Sequence, residues 1–295
     1  MTVVERTILK LREQQQAAQT SDPPEAPKTN EPDAALLATD NIVPHLPEII
    51  LERSVLRAAG LLPPQEDMDL LARQYRKIKR PLVAQATGRG VPRLPKGYLV
   101  MIASAMPGEG KSFTAMNIAL SLAREKDLEV LLVDADVAKP QLSRVLGLAD
   151  APGLLDALRN VGSDVELLIR TTDVPALSFL PAGTGAHDAT ELLSSSRMER
   201  VTERLGQRSR RIVIFDSPPL LQTTESAVLA HIAGQIVVVV RAESTPQPVL
   251  LDALKVLEEH PSVSLVLNQS IRSASADYYY YGYGSDSGDS NRRSG

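Results

Sequence analysis

Leu99-Val-Met-Ile-Ala-Ser-Ala-Met-Pro-Gly-Glu-Gly-Lys-Ser112 decides how this chain folds. Its first five residues, 99–103, are an unbroken apolar run, as in a strand covered on both faces. Gly108 and Gly110 then allow a tight turn, and Ala115, Ile118, Ala119 and Leu122 follow at helical spacing. Strand, glycine-rich turn and helix in that order make a phosphate-binding loop, with Ala105 where the common pattern has glycine. The N–H groups of such a turn point inward at an anion, and the helix start adds its positive dipole end. Met106, Pro107, Gly108, Glu109, Gly110, Lys111, Ser112 and Phe113 are expected to line the phosphates of ATP. Lys111 would reach the β- and γ-phosphates, and the Ser112 hydroxyl would ligate Mg2+. The alternative is a chance Gly-Lys-Ser turn, and the strand–turn–helix context argues against it.

Working outward, further apolar runs read as strands at 130–133, 177–180, 212–215, 236–240 and 264–267. Each is continuous rather than alternating, so each is expected to be buried on both faces. Helical patterns lie between them. The expected fold is therefore an α/β P-loop NTPase with a mostly parallel sheet covered by helices on both faces, preceded by a flexible N-terminal region. Two of these strands end in acids, Leu131-Leu-Val-Asp134-Ala-Asp136 and Ile212-Val-Ile-Phe-Asp216. In an open parallel sheet, ligands bind beyond the carboxyl ends of the strands. A lone acid there is more often a cap or a turn former. Three acids beside a phosphate loop are better explained by Mg2+ and catalysis. Asp216 is expected to hold the metal through water, while Asp134 and Asp136 are placed to assist it and to accept a proton from an attacking hydroxyl, with Asp134 the first choice of base. The catalytic set is thus Lys111, Asp134, Asp136 and Asp216, and the metal set Ser112, Asp134 and Asp216.

Four zones are expected along the 295 residues. Val4, Ile8 and Leu11 suggest a short amphipathic helix within 1–19. Residues 20–47 are rich in Pro, Asp, Glu, Asn and Thr and read as a flexible linker, too polar to offset its ordering entropy. The nucleotide domain spans 48–270 with its core at 97–270. In its leading helices Met68, Leu71, Tyr75 and Ile78 recur at helical spacing, while Arg73, Arg76, Lys77, Lys79 and Arg80 form a basic side. Such a charge run is usually a solvated face, and an anion-binding or subunit-contact helix is the competing reading. Residues 271–295 lose all periodicity and form a disordered tail.

Composition narrows the classes. The net charge of −4 gives no overall field for nucleic acid, so no nucleic-acid partner is expected. Absence of cysteine excludes disulfides, thiol nucleophiles and cysteine-held metals. No apolar run approaches the ~18–20 residues that span a bilayer, and the N-terminus has no signal-peptide core. A cytoplasmic chain, peripheral at the inner membrane through a partner, is the expectation.

Beyond these readings the motifs resemble a known family. Septum-positioning and partition ATPases carry a second lysine where this chain has Met106. The loop 105–112, the Asp134-Ala-Asp136 motif and Phe215-Asp-Ser-Pro-Pro219 instead resemble the bacterial tyrosine kinases of capsule and exopolysaccharide synthesis. Asp134-Ala-Asp-Val-Ala-Lys-Pro140, Tyr75-Arg-Lys-Ile-Lys-Arg-Pro81 and Arg57-Ala-Ala-Gly-Leu-Leu-Pro63 are similar to the exosortase-associated autokinase group. The resemblance implies a homo-oligomer, a membrane chain-length regulator of polysaccharide export as partner, and a phosphotyrosine phosphatase. Two departures stand out. Ala138 occupies a place where the family usually has arginine, with Lys139 beside it. Arg73, Arg76 and Lys79 replace a Glu–Arg–Arg motif used for subunit packing.

Of seven tyrosines, five lie at Tyr278, Tyr279, Tyr280, Tyr281 and Tyr283. A low-complexity tail explains mobility but not the choice of tyrosine in a chain with 3% aromatics. With the resemblance, these five are the expected phosphoacceptors of an ATP-dependent protein-tyrosine autokinase that regulates exopolysaccharide synthesis. A non-kinase P-loop ATPase and an ATP-binding adaptor are the alternatives.

Overall fold

The computed structural model describes residue 46 and residues 48–160 and 162–270. Contacts divide the chain into residues 1–42 and 43–295, and all described residues belong to the second unit. The expected N-terminal helix, nearly all of the proline-rich linker and the tyrosine cluster lie outside the described residues.

The described residues build a seven-stranded sheet in the order β3-β4-β2-β5-β1-β6-β7. The strands are β1 (Leu99–Ser104), β2 (Glu129–Asp134), β3 (Arg170–Thr171), β4 (Leu177–Leu180), β5 (Arg211–Asp216), β6 (Gln235–Arg241) and β7 (Val263–Asn268). All pairings are parallel except β3 with β4. Successive side chains point to opposite faces, so each central strand feeds two cores. Leu99, Met101, Leu131 and Val133 pack on one side, and Val100, Ile102, Val130 and Leu132 on the other.

Helices cover both faces. On one side α1 (Arg53–Ala58) and α2 (Met68–Thr87) pack with α3 (Lys111–Leu122). α3 is enclosed nearly all round, and its Ala115 and Ala119 allow close approach to the sheet. α4 (Gln141–Val145) is a single turn after β2. The other face carries α5 (Leu154–Arg159), α6 (Ala189–Leu193), α7 (Ser196–Gly206), α8 (Thr224–Ile232) and α9 (Gln247–Lys255). In α7 the buried Met198, Val201, Thr202 and Leu205 form one stripe at helical spacing. Before α1 the chain is fastened to the sheet edge, where Ile49 donates its N–H to the Thr171 carbonyl at 2.9 Å.

Two expectations need correction. β7 is not buried on both faces: it is the sheet edge, with Leu265 54% and Leu267 63% exposed. A continuous apolar run reports the strand but not how many neighbours it acquires. The basic side of α2 is not wholly solvated either. Lys79 is buried, where it donates to the Ser121 carbonyl at 2.7 Å and pairs with Glu125 at 2.7 Å. Arg73, Arg76 and Arg80 are exposed as expected.

β1 lies between β5 and β6, and the chain crosses it in both directions. That is the switch point of a doubly wound sheet, where a crevice opens beyond the strand ends.

Candidate active site

After β1 the chain turns through residues 105–110 before α3 begins at Lys111. Gly108 and Gly110 have φ of 79° and 96°, values that strain any side chain. At Gly110 a Cβ would also overlap the side-chain amide of Asn268. The loop is braced from within. The buried Glu109 carboxylate accepts the Met106 N–H at 2.7 Å and the Thr245 hydroxyl. The Glu109 carbonyl accepts the Asn268 amide at 2.9 Å. Its side chain thus holds the turn in shape and lines neither of the clefts described below.

The parallel register of β2 and β5 sets Asp134 directly opposite Asp216 at the carboxyl ends of both strands. Both are fully buried. One Asp134 oxygen, Oδ2, accepts the Ser143 N–H and the Ser143 hydroxyl, each at 2.8 Å. That hydroxyl in turn accepts the Ala182 N–H at 3.0 Å. The other Asp134 oxygen and both Asp216 oxygens have no hydrogen-bond partner. Burial pushes Asp134 up to about 7, against the hydrogen bonds from Ser143. Burial and then the Asp134 charge push Asp216 up to about 8, while the nearby Ser112 hydroxyl and Lys111 pull it down. Asp136 is half-buried; burial raises its pKa, and Lys111 opposes the rise.

Three enclosed carboxylate oxygens without partners are costly unless something positive comes to them. Among the described residues no three acidic, His or Cys side chains converge into a complete metal cage. Bare oxygens of Asp134 and Asp216 near Lys111 and Ser112 nonetheless fit a hard cation that draws its other ligands from phosphate and water, as Mg2+ does.

Two clefts meet at the loop and share Gly108, Lys111, Ser112 and Gln141. The first, about 770 Å³, also takes in Asp136, Lys139, Arg144, Pro218 and Pro219. The second, about 740 Å³, runs from Gly110 and Phe113 to Leu61–Pro64 and to residues 267–270. Each is large enough for part of a nucleotide. Lys111, Ser112 and Asp136 share the first cleft, whereas Asp134 and Asp216 are fully buried and do not line it.

Several residues here escaped the sequence reading. Ser143 fixes one Asp134 oxygen. Arg144 brings a guanidinium into the cleft where Ala138 supplies no charge, its Nε donating to the Pro140 carbonyl at 3.2 Å. Both belong to the five-residue α4, too short to show a period. Asn268 lies one residue past the apolar run 264–267, and no motif marks it.

A family profile described as an NUBPL iron-transfer P-loop NTPase matches residues 97–177. EpsB of Ralstonia nicotianae is 35% identical over 187 residues, 63% of this chain but 24% of that protein. The chain therefore spans about a quarter or less of the length of several curated relatives. The crystal structure of the VpsO kinase domain superposes with a TM-score of 0.57 at 27% identity, covering 70% of this chain and all of that one. The tyrosine-protein kinase YwqD of Bacillus subtilis is 31% identical over 219 residues, 74% of this chain and 89% of YwqD. Matched along nearly the whole of YwqD, the chain belongs to the bacterial tyrosine-protein kinase family.

Proposed function

We propose that this chain is an ATP-dependent protein-tyrosine autokinase that phosphorylates Tyr278, Tyr279, Tyr280, Tyr281 and Tyr283 of its own tail and thereby regulates exopolysaccharide synthesis or export. The observation that carries the reading is the convergence of Lys111, Ser112 and Asp136 on one cleft, backed by the bare oxygens of Asp134 and Asp216. Family membership supports tyrosine as the acceptor.

Bound Mg·ATP would supply an electrophilic γ-phosphoryl group. Ser112, Asp216 and the free oxygen of Asp134 would hold the metal. Lys111 would neutralise charge developing on the transferred group, and the turn N–H groups would fix the phosphates in line. Asp136, which lines the cleft, is the better placed of the paired acids to receive the phenolic proton. Asp134, fully enclosed, suits the metal side. A phenol near pKa ~10 needs such an acceptor or a metal close by. The family's usual setting implies a homo-oligomer at the cytoplasmic side of the inner membrane. Its partners there would be a membrane chain-length regulator and an opposing phosphatase. Among the described residues no helix is long and apolar enough to cross a membrane.

Incubating the purified chain with Mg·ATP and probing for phosphotyrosine tests the reading, with Lys111→Ala as the control. Phosphotyrosine on the tail of the wild type alone supports it. ATP hydrolysis without phosphotyrosine would make the chain a plain ATPase. Nucleotide binding without either would make it an adaptor, the alternative for which Ala138 and Arg73 leave room.

A further inference from the structure

A groove of about 460 Å³ runs between α1, α2 and α3, apart from the phosphate loop. Its walls carry Arg53, Arg57, Arg76, Lys79 and Arg124, and no acidic side chain lines it. Lys79 is committed to Glu125 and to the Ser121 carbonyl. Arg53, Arg76 and Arg124 have no ion-pair partner among the described residues. Arg57 gives one guanidinium nitrogen to Gln65, but its Nε is buried with no acceptor. The floor is apolar and aromatic, with Leu62, Leu71 and the buried Tyr75. Uncompensated guanidinium groups around an apolar floor match a ring that carries a doubly charged phosphate.

One segment that phosphorylation would make anionic follows directly in sequence. The described chain ends at Ser270, on the wall of the second nucleotide cleft. Leu62, Pro63 and Leu71 line both that cleft and the basic groove, so the two are neighbours. Seven residues separate Ser270 from Tyr278, and the eight Cα steps span about 28 Å at full extension. Before modification the tail has little net charge, with Arg272, Asp277, Asp286, Asp289, Arg292 and Arg293 in balance. Each phosphate adds about −1.5 to −2.

We propose that this groove is a docking site for phosphotyrosine of the chain's own tail, residues 278–283. The inference rests on the reading of that tail as the phosphoacceptor. Docking withdraws the modified tail from the reaction cleft and stores it against α2, so that phosphorylation clears the site for the next turnover.

The test uses the full-length Lys111→Ala chain and a synthetic peptide of residues 276–285, with and without phosphate on Tyr279 and Tyr281. At 0.15 M salt the phosphopeptide should bind at least ~10-fold tighter than the plain peptide, since each new charge-assisted contact favours it. Arg76→Glu with Arg124→Glu should remove at least ~10-fold of that binding through charge repulsion. Placed in the chain with Lys111 intact, the same pair should leave the binding of a fluorescent nucleotide and the melting temperature unchanged. Arg53→Gln with Arg124→Gln is the milder pair should the reversal disturb folding. Equal binding of the two peptides, or undiminished binding to a folded variant, overturns the proposal. So does a variant that loses RNA or phosphatidylglycerol vesicles while keeping the peptide. If the wild type makes no phosphotyrosine and the phosphopeptide still binds through these arginines, the docking site stands and the proposed activity fails.

Discussion

Asn268, the last residue of β7, donates its side-chain amide to the Glu109 carbonyl at 2.9 Å, tying the sheet edge to the phosphate loop. The same amide occupies the space that a Cβ on Gly110 would need. Edge strand and loop therefore hold each other. Removing a neutral hydrogen bond costs about 0.5–1.5 kcal/mol, so Asn268→Ala should weaken nucleotide binding by about 2- to 10-fold with little change in fold. Gly110→Ala should do more harm, because it adds backbone strain to the overlap. Titration with a fluorescent ATP analogue checks both. An unchanged affinity in Asn268→Ala would mean that the loop keeps its shape without this brace.

Lys79 offers a test of packing rather than chemistry. Its ammonium bonds the Ser121 carbonyl and Glu125, and only 10% of the side chain is exposed. Lys79→Met keeps the volume but leaves both acceptors without their donor. Glu125 is 37% exposed and can rehydrate, which limits the cost to about 1–3 kcal/mol. Arg73→Met and Arg80→Met, on the exposed side of the same helix, should stay within about 0.5 kcal/mol. Denaturant melts of the three variants separate the two cases, and equal stabilities would contradict the distinct role given to Lys79.

These residues show why some features were legible in the sequence and others were not. Six strands were readable because each is a compact aliphatic run bounded by polar residues. β3 has two residues and no such signature. The exposure of Leu265 and Leu267 depends on β7 having a neighbour on one side only, which is a property of strand order. Asp134 and Asp216 could be read as strand-end acids. Their direct opposition required the β2–β5 register. Lys79 looked like one of five similar cations until α3 was packed against it. Local pattern encodes elements, while partners come from topology.

Transfer between subunits is the expected route for tail phosphorylation. β7 ends at Asn268, which leaves roughly ten residues before Tyr278, a reach of at most ~36 Å. That length serves a neighbour's cleft or the chain's own, and family membership favours the neighbour. Mixing a Lys111→Ala chain having an intact tail with an active chain truncated after Asp277 decides it. Phosphotyrosine should appear on the Lys111→Ala chain and rise with total protein concentration. A wild type that labels itself at a concentration-independent rate, beside an unlabelled Lys111→Ala chain, would place transfer within one chain.

The buried acids make the nucleotide-free protein sensitive to pH in a particular direction. Asp134 is pushed up to about 7 and Asp216 to about 8, chiefly by burial. In the unfolded chain both would titrate near ~3.9. Between about pH 4 and pH 8 the folded state thus holds protons that the unfolded state has released, and stability falls as pH rises. Because the two face each other, the protons belong to the pair rather than to either residue. Asp216→Asn removes one of the charges that must be buried, so it should melt higher than the wild type at pH 8.5 and show a flatter pH dependence. Each ~1 kcal/mol gained should appear as about 2–4 °C. The same variant should lose at least ~10²-fold in phosphorylation rate, as expected for a metal carboxylate. Stabilisation by Mg·ADP should grow over the same pH window in the wild type, since the cation needs the ionised carboxylates. A wild-type melting temperature flat from pH 5 to 8.5, or an Asp216→Asn chain less stable at pH 8.5, would show that these carboxylates are not held protonated in the free protein.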